Sequence, residues 1–309
     1  MKQDVAEFAQ SFTEKYFLSS PLKNEISKAI KLYAHSSEID ELKALLPIFS
    51  GNFEQKNGFP FYSDGAYPKE FFKKLCENAG KYGISVEKYS LAVYPLIFSE
   101  IKDIYKKFEI PSEIFASTEA SLTTYIKSYI SLTSIEGISS YRWCANYLCL
   151  AVFRIGEIEY QLCANPFDKG VLPEGFDFVI KIHIPEGCDF SDESRKVSYK
   201  SAYEFFSQKL CEKNLLFVCD SWLLSKEHKD IKGNISSFYN DFKIVSEYSD
   251  YEKDFLWRVF GTESLDDVAT LPNFTTLQRF YIKKLKEKSP FYSSVGYFVV
   301  ENAEDIWKK

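Results

Sequence analysis

The sequence predicts an α+β protein in two parts, a mainly helical domain over residues 1–150 and a mixed α/β domain over 151–309. Three observations carry this. Up to about residue 150, apolar residues recur at helical spacing. Near 150 the period changes to strict alternation in AVFRIGEIEYQL and again in FDFVIKIHI. Further on, LLFVCD is a short continuous apolar run, the pattern of a strand buried on both faces. A chain of 309 residues also suits two domains of roughly 100–200 residues each.

In the first part, PLKNEISKAIKLYAHSSEIDELKALLPIF, YPKEFFKKLCENAGKYG and VEKYSLAVYPLIFSEIKDIYKKF place their apolar residues on helical faces. STEASLTTYIKSYISL predicts a helix that starts at Ser117, with Glu119 early in it. Pro21, Pro60, Pro68 and Pro111 punctuate these segments, and Gly51, Gly58 and Gly65 mark a loop over about 50–67.

In the second part, the two alternating segments flank the Pro- and Gly-rich CANPFDKGVLPEG and predict a hairpin with a long loop. Pairing Leu162 with Phe176 joins Arg154, Gly156, Ile158, Tyr160 and Leu162 to the isoleucines of the second strand as one largely apolar surface. The same register sets Glu157 across from Lys181. It leaves His183 on the other, more polar face with Glu159, Gln161 and Lys181. After the Pro-Glu-Gly turn, Ser191 is the predicted N-cap of a helix with Asp192 and Glu193 in its first turn. Tyr199, Ala202, Tyr203, Phe206 and Leu210 form its apolar stripe. Asn234 is placed to cap the next helix. FKIVSEY and DFLWRVFG are predicted as strands, a helix is predicted to start near Thr275, and SVGYFVV to close the sheet.

The net charge of −6 with no basic block argues against a nucleic-acid partner. Seven cysteines without a CxxC pair are expected to be reduced core residues of a cytoplasmic protein. Three histidines, none with a partner at metal-ligand spacing, predict no metal site. MKQDVAEFAQSF carries charges where a secretory signal needs an apolar run, and no stretch approaches the ~20 apolar residues of a membrane span. No membrane partner is therefore expected, and the sequence leaves the oligomeric state open.

Several of these segments occur in a characteristic order: FRIGEIEYQL, IHIPEG, SYKSAYEFF, FVCDSWLLS, NISSFYNDF, RVFG and LPNFTTLQR. With them, residues of about 135–300 resemble a family of bacterial acyltransferase-domain proteins, which pair a helical N-terminal acyltransferase domain with a GNAT-like C-terminal domain. Arg154, Gly156, His183, Pro185, Gly187, Ser221 and Trp222 occupy motif positions. Gly233 and Glu157 depart from the pattern, where a serine and a basic residue are usual. The resemblance implies a splayed sheet, acyl-CoA or acetyl-CoA as co-substrate, and a small-molecule or peptide amine as acceptor. The Gly-rich pyrophosphate loop of ordinary GNAT enzymes is absent. Its nearest equivalent is PEGCDFSDES, where Asp189, Asp192 and Glu193 would repel a phosphate.

Acyl transfer to an amine needs a base, an oxyanion donor and a proton for the leaving thiolate. His183 is the first candidate base, since its ordinary pKa lies near neutrality; the alternative role is to hydrogen-bond the loop and fix the turn. Glu186 is a second candidate base, or a solvated turn carboxylate. Ser221 either donates to the developing charge or caps the turn that follows it. Arg154, Glu157 and Trp222 are candidate pocket residues. The rival expectation is a catalytically inactive GNAT-like module that binds a metabolite or a partner protein.

Overall fold

The computed structural model describes residues 11, 24, 28, 36–62, 68–138, 140–249, 255–262 and 268–308. The charged N-terminal segment, and residues 21–35 of the first predicted helix apart from Asn24 and Lys28, lie outside the described residues, as does Gly65 of the predicted loop. The chain divides into two compact units, Met1–Ile155 and Gly156–Lys309.

In the first unit, helices α1 (Ser37–Ala44) and α2 (Pro47–Ser50) replace the C-terminal end of one long predicted helix. Proline removes a backbone donor, so Pro47 is tolerated at the start of α2 and not inside a continuous helix. The predicted loop contains a small antiparallel hairpin, β1 (Glu54–Lys56) and β2 (Phe59–Phe61). Its turn is Asn57-Gly58, both at positive φ (50° and 78°), the strongest short-range hairpin signal a sequence offers. Helices α3 (Lys69–Lys81), α4 (Val86–Lys107), α5 (Ser112–Thr133) and α6 (Tyr141–Leu148) follow. Helix α5 starts five residues before the predicted Ser117, because Ile114 and Phe115 already belong to the buried face that Leu122 and Ile126 continue. Strand β3 (Val152–Ile155) ends the unit.

The second unit contains β4 (Ile158–Ala164), β5 (Phe178–His183), α7 (Asp192–Leu210), β6 (Leu215–Ser221), α8 (Asn234–Asn240), β7 (Lys243–Ser249), α9 (Phe255–Phe260), α10 (Thr276–Glu287) and β8 (Tyr292–Val300). Order across the six-stranded sheet is β3-β4-β5-β6-β8-β7. Strands β5 and β6 run parallel; β4–β5, β6–β8 and β7–β8 are antiparallel.

Four expectations are corrected here. AVFRIGEIEYQL is two strands joined at Gly156-Glu157, so Arg154 does not share a strand with Ile158, Tyr160 and Leu162. Leu162 pairs with Ile180, not Phe176, and Gln161 rather than Glu157 faces Lys181. The shift is four residues, an even number, so the residues of β4 and β5 keep their predicted faces. DFLWRVFG forms helix α9 instead of a strand: Leu256, Val259 and Phe260 are buried at i, i+3 and i+4. Asn234 is the first residue of α8 and not its cap; Gly233, at φ 107°, precedes it.

Helix α7 covers one face of the sheet. Ser191 accepts the Ser194 amide at 3.3 Å as its N-cap, and the predicted stripe is buried. Ser198, fully buried on the same helix, accepts the Ile158 amide and the Tyr160 hydroxyl at 3.3 and 3.0 Å. Gly156 sits at φ +64°, and a Cβ there would lie 3.1 Å from the Ser198 side chain. The glycine thus serves both the turn and the close approach of the helix. On the opposite face Cys163, Val179, Leu216, Val218 and Val295 form an apolar cluster.

Candidate functional site

The parallel pair at the centre of the sheet is short. Pairing runs through Ile180–Phe217 and Lys181–Val218 and ends there. Beyond it each strand keeps to its outer neighbour: Ile182 and His183 stay paired with Tyr160 and Glu159 on β4, while Cys219, Asp220 and Ser221 stay paired with Gly296, Val295 and Ser294 on β8. The C-terminal ends of the two strands are therefore not paired with each other, and such strand ends are where ligands of open α/β sheets collect. His183 ends one arm and Ser221 the other.

Strand parity decides which side chains meet. His183, Glu159, Gln161 and Lys181 share one sheet face, and the parallel register adds Val218 and Asp220 to it. Ser221 belongs to the other face, with Phe217 and Cys219. His183 is half-buried, with Nε2 3.0 Å from Gln161 Oε1. Glu159, directly opposite His183, is only 1% exposed. Asp220 accepts the Tyr248 hydroxyl at 2.5 Å.

The other sequence candidates lie as follows. Glu186, past the strand end, is 3.9 Å from Arg258 of α9, and its side chain is 45% exposed. Glu157, in the β3–β4 turn, accepts the Asp189 amide at 3.0 Å. Arg154 is half-buried on β3, and its own amide donates to Thr118 Oγ1 at 2.9 Å. Ser221 Oγ accepts the Leu223 amide at 3.1 Å, so it caps the short 3₁₀ turn Trp222–Leu224. A serine oxygen accepting in this way still has its own proton to donate. Trp222 stands edge-on to His228 and Tyr281, with ring centres 5.8 and 6.0 Å away.

The start of α7 is occupied by its own carboxylates. Asp189 accepts the Ser194 hydroxyl at 2.5 Å and the Ser191 amide at 3.0 Å, and the Ser194 bond holds its carboxyl below the usual range. Behind this turn Arg195 is fully buried. Its Nε donates to Asp241 Oδ2 at 3.1 Å, Nη1 to the Phe190 carbonyl at 2.8 Å, and Nη2 to Ser237 Oγ at 2.9 Å. Burial raises the Asp241 carboxyl pKa, against the pull of Arg195. His228 is also fully buried. Nδ1 lies 3.1 Å from the Leu223 carbonyl and Nε2 3.0 Å from the Tyr281 hydroxyl, and burial lowers its pKa. Its ring is neutral, with Nδ1 donating and Nε2 accepting.

Sequence reasoning missed Arg195, Gln161 and Arg258 as residues that organise this region. Arg195 was legible, because it extends the stripe of Tyr199 and Ala202 by one turn, at i−4 from Tyr199. Gln161 was placed on the correct face but not joined to His183. Arg258 was hidden by the strand reading of its segment.

Among the described residues no group of His, Cys, Asp and Glu could hold a metal ion, and no helix is long and apolar enough to cross a membrane. All seven cysteines are free thiols; Cys144, Cys149, Cys163 and Cys219 are buried, while Cys76 and Cys211 are exposed.

Residues 152–298 match the GNAT-like C-terminal domain family. No curated protein matches the sequence. Among solved structures, an acyltransferase mutant in complex with octanoyl-CoA aligns at a TM-score of 0.70 and 16% identity, over 95% of this chain and 88% of that one. An acyltransferase in complex with decanoyl-CoA aligns at a TM-score of 0.66 and 16% identity, over 94% and 86%. One in complex with decanoyl-CoA and teicoplanin aligns at 0.62 and 14% identity, over 94% and 99%. At these identities the likeness is one of fold.

Proposed function

We propose that this chain, whose residues 152–298 form a GNAT-like C-terminal domain, transfers an acyl group from acyl-CoA to an amine of a small molecule or peptide. The observation that carries the reading is the end of β5–β6 pairing after Lys181–Val218, with His183 on one arm and Ser221 on the other. Two strand edges not paired with each other accept an extended, amide-bearing ligand such as the pantetheine arm of coenzyme A, much as a sheet edge accepts a peptide.

In this reading the thioester carbonyl lies between the arms. His183 takes a proton from the attacking ammonium on one face of the sheet. The amine nitrogen bonds to the carbonyl carbon, the C–S bond breaks, and the thiolate leaves with a proton. Ser221 approaches from the opposite face and donates its hydroxyl to the oxyanion or the thiolate. Glu186 is the second candidate base, an exposed carboxylate 3.9 Å from Arg258. Arg154, Glu157 and Trp222 remain pocket candidates, of which Trp222 stands at the exit of β6 beside Ser221.

Relatives in fold hold octanoyl-CoA, decanoyl-CoA and teicoplanin, so the donor panel includes medium-chain acyl-CoAs beside acetyl-CoA, and the acceptor panel includes amine-bearing natural products. Stabilisation by an acyl-CoA together with free CoA release on adding an amine supports the transferase. The acidic start of α7 favours a second reading, a catalytically inactive binding module. Stabilisation without release at any amine would establish that module instead, and no response to any acyl-CoA would remove both.

A further inference from the structure

Among the described residues of the second unit, two buried side-chain polar atoms make no hydrogen bond, Ser225 Oγ and Ser294 Oγ. Both belong to the surroundings of Ser221. Ser294 stands directly across from it on β8. Ser225 ends the Trp222–Leu224 turn that Ser221 caps, and its amide donates to the Trp222 carbonyl at 3.0 Å. That turn folds back over β8, since a Cβ at Gly296 would lie 3.0 Å from Leu224 Cδ1. A buried hydroxyl without a partner costs stability, and such a group persists where it serves a function.

Register decides which partner Ser294 can reach. Directly opposed residues share a face, so Ser221 on β6, Ser294 on β8 and Glu247 on β7 form one row. Glu247 is committed to Lys226, with Oε1 2.7 Å from Nζ and Oε2 accepting the amide at 3.4 Å. Ser221 Oγ accepts only the Leu223 amide, which leaves it a second lone pair and its own proton. A change of χ1 rotamer brings two opposed serine hydroxyls within reach of each other.

We propose that Ser294 is a positioning residue for acyl transfer: with acyl-CoA bound, its hydroxyl turns to Ser221 Oγ and donates to the lone pair that the Leu223 amide leaves free. Both lone pairs are then filled, so the Ser221 proton is held off these neighbours and left to the oxyanion or the thiolate. No proton leaves Ser294, and no covalent bond changes at it. This role rests on the transferase reading above; the unpaired state of the Ser294 hydroxyl does not.

The test combines unfolding of the substrate-free protein with turnover of full-length Ser294→Ala, Ser221→Ala and the double variant. Ser294→Ala removes an unpaired buried hydroxyl, so its unfolding midpoint is expected to stay or rise. Its kcat is expected to fall about fivefold, the loss of one hydrogen bond, with the KM for acyl-CoA unchanged. Because Ser294 acts through Ser221, the same exchange in the Ser221→Ala background is expected to lower kcat no further, whereas a merely structural effect would persist there. A lowered midpoint, which would mean that the hydroxyl already holds a partner or a buried water, overturns the proposal. So does a wild-type kcat in Ser294→Ala or in Ser221→Ala, or a fivefold fall that recurs in the double variant. Wild type that releases no CoA with any donor and amine would remove the transferase reading and this role with it; the other outcomes leave that reading standing.

Discussion

His183 and His228 are both hydrogen-bonded through a ring nitrogen, yet they sit in regions of opposite character. His228 lies in a closed aromatic cluster of Trp222, Phe280 and Tyr281, fully buried, with both nitrogens committed to protein groups. Arg195 is closed in the same way, its donors spent on Asp241, Ser237 and the Phe190 carbonyl. His183 ends a strand whose pairing with its parallel neighbour has stopped, and its ring is only half-buried. The lesson is that residue type and hydrogen bonding do not mark a working group. A site needs a place for substrate beside the group, and in the proposed reading the C-terminal ends of the central strands supply it.

The largest test of that contrast is His183→Ala. Loss of a general base is expected to lower turnover by about 10²–10⁴-fold. The melting curve should shift little, because a half-exposed strand end tolerates truncation within about 0.5 kcal/mol. Full activity in this variant would take His183 out of the mechanism.

The closed region should answer in the opposite currency. Asp241→Ala leaves the Arg195 charge buried without its main partner and is expected to cost about 3–5 kcal/mol of stability. His228→Ala leaves a cavity and strips partners from the Leu223 carbonyl and the Tyr281 hydroxyl, at about 2–4 kcal/mol. Denaturant unfolding measures both. Specific activity per folded molecule should stay within about threefold of wild type in the His228 variant. A stable His228→Ala protein that has lost turnover would reverse the assignment of the two histidines.

How much of this contrast was legible in the sequence follows from which features are local. Period-2 alternation placed His183 on the polar face, and that survived a register error of four residues because parity is all a face depends on. The register itself was not legible. It is set by Asn165, whose amide donates to the Asp177 carbonyl at 2.8 Å and whose side chain donates to the Phe176 carbonyl at 3.0 Å. These bonds close the long loop at 165–177 and draw Phe176 into it. Caps were readable where a side chain makes them, as at Ser191 and Thr275, the latter closing a capping box with Gln278. That β5 and β6 stop pairing was expected from family resemblance and not from spacing, since neither strand's own pattern says where its neighbour leaves it.

The smallest expected effect uses pH to separate the closed histidine from the rest of the protein. Burial lowers the folded pKa of His228 below its unfolded value of about 6.5. The unfolded chain therefore binds more protons than the folded one as pH drops below that value. The stabilisation that comes from keeping the ring neutral is complete above about pH 6.5 and is lost as pH falls toward the folded pKa. Wild type should lose stability between about pH 7 and 5 more steeply than His228→Gln, whose amide cannot titrate. Unfolding midpoints at several pH values read the difference. Parallel slopes in the two proteins would mean that His228 takes up its proton without leaving its place between Leu223 and Tyr281, and the cluster would then be looser than its buried hydrogen bonds imply.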